Sequence, residues 1–220
     1  MPITEKIQIN KQCKLILWKI TEPLSDLLQL VNLNEEEKEK LQSFGSESRK
    51  KEYLATRILV QKALGKDACI KNNVHGKPRL INSDVSISIS HTKSYVGILI
   101  GKNHELALDM EALSDRVHRI AKRFLSEQEL KSISQNKKLI HLYQHWCAKE
   151  CLIKLYGKKD AHLIDELKID PFSPTDKSFT GQVCRQDFSR KYTFKHLLFD
   201  DHLLVYSVEA SQGVTPTRRS

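Results

Sequence analysis

Three carboxylates in two short segments stand where folding alone disfavours them. In ELALDME (105–111) strict alternation reads as a β-strand, with Leu106, Leu108 and Met110 on one face and Glu105, Ala107, Asp109 and Glu111 on the other. Asp109 and Glu111 are then neighbours, roughly 6–7 Å apart along the strand. Around HWCAKECLIK (145–154), Leu139, Leu142, Trp146 and Ile153 form one helical stripe, and Glu150 falls inside it. A carboxylate on a buried stripe needs a partner. Each feature has an ordinary explanation. Glu150 and Lys154 have the i,i+4 spacing of an exposed helical ion pair, and two acids on one strand face usually mark a solvated face. Taken together, the three acids are better satisfied by a hard cation with oxygen ligands, and Mg²⁺ typically takes one or two carboxylates plus substrate phosphate.

With Lys154 beside it in a basic chain, such a trio suits phosphate chemistry. A cation would draw charge from phosphorus, the lysine would neutralise the leaving side, and a carboxylate would take the proton of an attacking hydroxyl. No Ser-His-Asp or Cys-His set stands out, so the attacking group belongs to a second substrate.

The elements that must position these residues follow from local signals. KLILWKI (14–20) reads as a strand, and Asn34 before EEEKEKL is an N-cap with acids in the first turn. A long helix is expected from about Ser46 to Leu64, stopped by Gly65, with Tyr53, Leu54, Ile58 and Leu64 on its apolar side and Arg49, Arg57 and Lys62 exposed. CIKNNVHGKPRL carries turn signals. Val85–Ser90 and Tyr95–Gly101 read as a hairpin, followed by the acidic strand at 105–109. A helical stretch after Asp115 places Val117, Ile120 and Phe124 on one face and Arg116, Arg119 and Arg123 along another. Ser126 with Glu129 makes a capping box, and a third helix is expected over about 137–156, stopped by Gly157. Residues 165–209 read as strand segments, and the tail at 211–220 as disordered. Aligning Gly65 with Gly157 pairs Lys62 with Lys154 and Arg57 with Lys149, a faint echo that would mean two similar halves with a ligand cleft between them.

Composition bounds the alternatives. At 220 residues, 40% apolar and 29% charged, the chain reads as an ordinary globular protein, and its longest apolar run, Tyr95 to Ile100, is far too short to span a bilayer. The N-terminus lacks the apolar core of a signal peptide, and the odd set of cysteines, Cys13, Cys69, Cys147, Cys151 and Cys184, contains no CxxC pair. A cytoplasmic protein is expected, without membrane association. The formal net charge of +9 would attract nucleic acid, a polyphosphate cofactor or an acidic protein. The rival reading is a basic nucleic-acid-binding protein or a Mg²⁺-dependent nuclease. Against it, acid-x-lysine nucleases place their acid and lysine two apart on a strand, and the aromatic content of 7% is low for a single-strand binder.

A series of segments in order carries a resemblance to a known family: YLATR with Arg57, HGKPRL, SISISHT, LALDME, RFLSEQE and WCAKECLIK. The chain resembles the 4′-phosphopantetheinyl transferases, in their long, pseudo-dimeric form of the surfactin-synthetase-activator type. The resemblance implies an α+β (α/β) fold of two halves, 1–104 and 105–210, each a long helix on a small antiparallel sheet, related by a pseudo-twofold axis with the active site in the cleft. It implies Mg²⁺-dependent (or Mn²⁺-dependent) transfer of phosphopantetheine from coenzyme A to a serine of an acyl or peptidyl carrier protein, by a monomer and without nucleic acid as partner. Asp109, Glu111 and Glu150 match the metal ligands, Glu150 also the base, and Lys154 the lysine on the diphosphate. Arg57, Lys77 and His91 match positions that bind coenzyme A. The region after the acidic strand, with Val117, Ile120 and the nearby arginines, would dock the carrier; the alternative is an amphipathic helix packed on the core with its arginines solvated. Ala107 stands where the family usually has Gly, and Cys151 where Ser or Ala is common.

Overall fold

The computed structural model describes residues 5–211. The expected disordered tail therefore lies almost wholly outside the described residues. The N-terminal part contains strands β1 (Glu5–Gln8) and β2 (Cys13–Lys19), helices α1 (Leu24–Leu30), α2 (Glu35–Gln42) and α3 (Glu47–Leu64), then β3 (Ile70–Asn72), β4 (Pro78–Leu80), β5 (Val85–His91) and β6 (Tyr95–Lys102). After Asn103 come β7 (His104–Ala112), α4 (Arg116–Ile120), a 3₁₀ turn (Ala121–Arg123), α5 (Glu127–Ser132), α6 (Lys138–Tyr156), β8 (Leu167–Ile169), β9 (Ser178–Cys184), β10 (Ser189–Phe199) and β11 (His202–Ala210). All pairings are antiparallel. One sheet has the order β1-β2-β6-β5 and the other β7-β11-β10-β9-β8, with β3 and β4 forming a separate ribbon. The architecture is α+β, and the chain changes sheet at the single residue Asn103.

Helix ends obey the sequence signals. Asn34 and Glu37 form a reciprocal capping box on α2, Ser46 accepts from the Arg49 amide, and Gly65 follows α3 at φ +111°. Leu54, Ala55, Ile58 and Leu59 of α3 bury against Ile16 and Trp18 of β2 and Val96 and Ile98 of β6. Arg57, expected to be exposed, is instead largely buried. Its Nε donates to Glu37 Oε1 at 3.1 Å and its guanidinium lies 3.3 Å from the Tyr53 ring centre. A partner from α2 thus reclaims a residue that its own helix would leave in solvent.

The alternation in β7 is as expected, yet neither face is solvated. Leu106, Leu108 and Met110 pack with Leu15, Leu17, Leu99 and Leu204, while Ala107 on the other face joins the core around α6. Asp109 is consequently buried, at 7% exposure. The stretch after Asp115 is shorter and more broken than one amphipathic helix, and Val117 and Phe124 sink into the α6 core at 2% and 0% exposure. That burial removes Val117 from the expected docking surface, whereas Arg116, Arg119 and Arg123 remain exposed.

Helix α6 is fixed by Lys149, which is fully buried. Its ammonium donates to Phe124 O (2.5 Å), Leu163 O (2.7 Å) and Glu129 Oε2 (2.8 Å), and Glu129 also completes the capping box on α5 and accepts from Ile169 N. Lys149→Ala should lower unfolding stability by about 3–5 kcal/mol in urea denaturation, since it strands a buried carboxylate.

Candidate active site

The site lies along the line where β5 and β7, edge strands of different sheets, run side by side. No backbone ladder joins them. Instead Ser88 Oγ accepts from Leu108 N at 2.9 Å and Ser90 Oγ from Met110 N at 3.0 Å, so hydroxyls satisfy the unpaired amides of β7. The Ser90 hydroxyl in turn donates to Asp109 Oδ1 at 3.4 Å.

Lys154, from the last turn of α6, reaches into the same line. Its Nζ donates to Leu108 O (2.6 Å), Asp109 Oδ1 (2.9 Å) and Ile89 O (3.4 Å). Burial opposes the ammonium charge, but Asp109 and its neighbours outweigh that and hold its pKa above the usual lysine value. The i,i+4 spacing pointed to Glu150 as its partner; the ion pair it makes is with Asp109, on a strand 45 residues away.

The other two acids face the same neighbourhood. Trp146 Nε1 donates to Glu111 Oε1 at 3.2 Å, and burial followed by the Asp109 charge pushes the Glu111 carboxyl up. Burial and then Asp109 raise Glu150 further, to about 7. Among the described residues, no three or more His, Cys, Asp or Glu side chains form a ready-made metal cage. The donor set still fits a cation in two respects. Asp109 Oδ2 is buried with no hydrogen-bond partner among the described residues, and two half-buried carboxyls beside it are raised by burial and by its charge. Cys147 and Cys151 are fully buried, with burial pushing both thiols well up, so they are core residues and no soft-metal pair.

The remaining predicted residues divide between neighbouring cavities. A cavity of 330 Å³ is lined by Lys77, Ser88, Glu150, Lys154, Lys158 and Lys159. Burial pulls the Lys77 ammonium below its usual value, and among the described residues no side chain pairs with it. A larger cavity of 920 Å³ holds Arg57 and His91 together with Glu37, Arg49, Glu52 and Tyr53. His91 Nδ1 lies 3.2 Å from Glu52 Oε2, and burial brings the imidazole below its ordinary pKa against the pull of Glu52. A third cavity of 580 Å³ joins His91 and Glu111 to Arg116, Ile120 and Trp146. Sequence reasoning missed Ser88, Ser90, Trp146, Lys158 and Lys159. The serine row of SISIS, alternating with isoleucine, was the one local signal of a polar strand face.

The carboxyls make stability depend on pH with a definite sign. The Glu150 carboxyl is pushed up to about 7 in the folded chain from an ordinary 4.5, so the folded state binds its proton more tightly. Its stabilising contribution is fully present below pH 4.5 and is lost as pH rises through 7. The melting temperature of metal-free protein should therefore fall between pH 5 and 7.5. Glu150→Gln should flatten that slope in a thermal-shift titration.

Residues 105–207, which contain Asp109, Glu111, Glu150 and Lys154, match the family model described as the 4′-phosphopantetheinyl transferase superfamily. Among curated proteins, the 4′-phosphopantetheinyl transferase gsp of Aneurinibacillus migulanus is 34% identical over 91 residues, covering 40% of this chain and 38% of that protein. A Synechocystis protein that carries the same enzyme name provisionally is 29% identical over 119 residues, 48% of this chain and 47% of its own. The chain thus spans less than half the length of either relative in these matches. Over residues 105–207 the chain is thus similar to the 4′-phosphopantetheinyl transferase superfamily.

Proposed function

We propose that the protein transfers the 4′-phosphopantetheine group of coenzyme A to a serine hydroxyl of an acyl or peptidyl carrier protein, with Mg²⁺ as cofactor. The observation that carries this reading is the buried Asp109 Oδ2, without a hydrogen-bond partner among the described residues and flanked by two raised carboxyls, beside a cavity rimmed by lysines, in a chain whose residues 105–207 match this superfamily. Asp109, Glu111 and Glu150 would hold the metal, which when bound supplies charge to the phosphate oxygens. The serine oxygen forms a bond to phosphorus, the diphosphate bond breaks, and adenosine 3′,5′-bisphosphate leaves. Glu150 takes the serine proton. Lys77 and Lys154 stabilise the phosphate charge, and Arg57 and His91 bind coenzyme A from the larger cavity. Because Arg57 is already held by Glu37 and Tyr53, it arrives at substrate as a fixed group.

The same reading takes 1–104 and 105–210 as two pseudo-twofold-related halves with the active site in their cleft. Its support is connectivity: in each, the first long strand (β2 or β7) pairs with the last (β6 or β11), and one long helix packs on the sheet. The carrier would dock where exposed Arg116, Arg119 and Arg123 surround half-buried Ile120, a basic rim suited to an acidic partner. No helix among the described residues is long and apolar enough to cross a membrane.

Intact-mass measurement of several apo carrier proteins, incubated with coenzyme A, Mg²⁺ and enzyme, should show the phosphopantetheine adduct. Glu150→Gln should lower the rate by about 10²-fold or more, and failure of wild type on every carrier would overturn the assignment. Mg²⁺ with coenzyme A should raise the melting temperature of wild type and much less that of Asp109→Ala. Charge reversal at Arg119 and Arg123 should raise the KM for carrier several-fold and leave that for coenzyme A unchanged.

A further inference from the structure

The ammonium of Lys154 has three protons, and three protein acceptors already surround it: Leu108 O, Asp109 Oδ1 and Ile89 O. It ties β5 to β7 and holds Asp109, so its freedom to follow a ligand is small. The 330 Å³ cavity it borders nevertheless carries three more lysines, Lys77, Lys158 and Lys159, and only one carboxylate, Glu150. Lys158 lies over the Tyr156 ring at 5.6 Å. Lys159 makes no ion pair among the described residues, and the neighbouring Asp160 is taken by Arg185. The Lys159 side chain crosses from the end of α6 to the turn of the β3–β4 ribbon. There a methyl group on Gly76, which has φ +84°, would come within 3.4 Å of its Nζ. Its charge also reaches Glu150. Lys159 therefore borders the cavity where the two elements that carry Lys77 and Glu150 approach each other.

We propose that Lys159 is a substrate-binding residue that contacts a phosphate of coenzyme A, a duty that the engaged Lys154 does not discharge alone. This rests on the transferase reading, whose chemistry supplies the polyanion, but assigns a residue beyond it. Lys159 is exposed, so substituting it leaves the fold intact.

The test is steady-state kinetics of Lys159→Met and Lys159→Arg with carrier modification as the assay. Lys159→Met should raise the KM for coenzyme A about 5–20-fold, with kcat and the carrier KM within twofold of wild type, and Lys159→Arg should restore most of the loss. The same comparison with 3′-dephospho-coenzyme A locates the contact: a loss that persists places Lys159 on the diphosphate, one that disappears places it on the 3′-phosphate. An unchanged KM for coenzyme A, or a rise confined to the carrier, would overturn the proposal. If wild type modifies no carrier, the transferase reading fails on its own. Calorimetric titration of coenzyme A in Mg²⁺ then decides the residue's role: about tenfold weaker binding by Lys159→Met supports it, and equal binding refutes it.

Discussion

The structure depends on how two sheet edges that do not pair are kept together. Edge strands expose unpaired N–H and C=O groups, and a buried edge must satisfy them. Here the serines of β5 supply hydroxyls to the amides of β7, and one ammonium from α6 takes a carbonyl from each strand. A normal ladder would have used these groups up and left no room for side chains between the strands. The substitute opens a polar line in the middle of the protein, and Asp109 stands on it.

The same arrangement sets the electrostatics. Asp109 is compensated on one oxygen by Lys154 and Ser90 and has no hydrogen-bond partner on the other among the described residues, and its charge adds to burial in raising the proton affinity of Glu111 and Glu150. Glu150 can be held in so unfavourable a place because the residue before it, Lys149, locks the helix by three hydrogen bonds into a wholly buried pocket. Rigidity on one face of α6 supports strain in charge on the next.

Much of this was legible in the sequence wherever the signal was local. Capping residues, the glycine stops, the hairpins and the alternation of β7 all follow from neighbours within a few positions. What escaped were partners set by the tertiary fold. Arg57 looked exposed because Glu37 lies on a different helix. Lys154 looked paired with Glu150, but an exposed i,i+4 contact offers little beside a carboxylate and two carbonyls in a half-buried place. Val117 looked like part of a surface because a short helix can bury its apolar face against a longer one. The serines of SISIS carried a visible pattern, yet the strand they serve belongs to another sheet.

One residue, Asn103, separates β6 from β7, in the left-handed conformation at φ +56° and with its carbonyl bonded to Ser211 N. So short a tether makes the meeting of the two sheets an intramolecular event at very high effective concentration. The tether adds to the apolar contact that Leu106, Leu108 and Met110 of one sheet make with Leu15, Leu17 and Leu99 of the other. Covalent proximity and that apolar face together hold the sheets, and the line between β5 and β7 is left free to be charged and chemically useful.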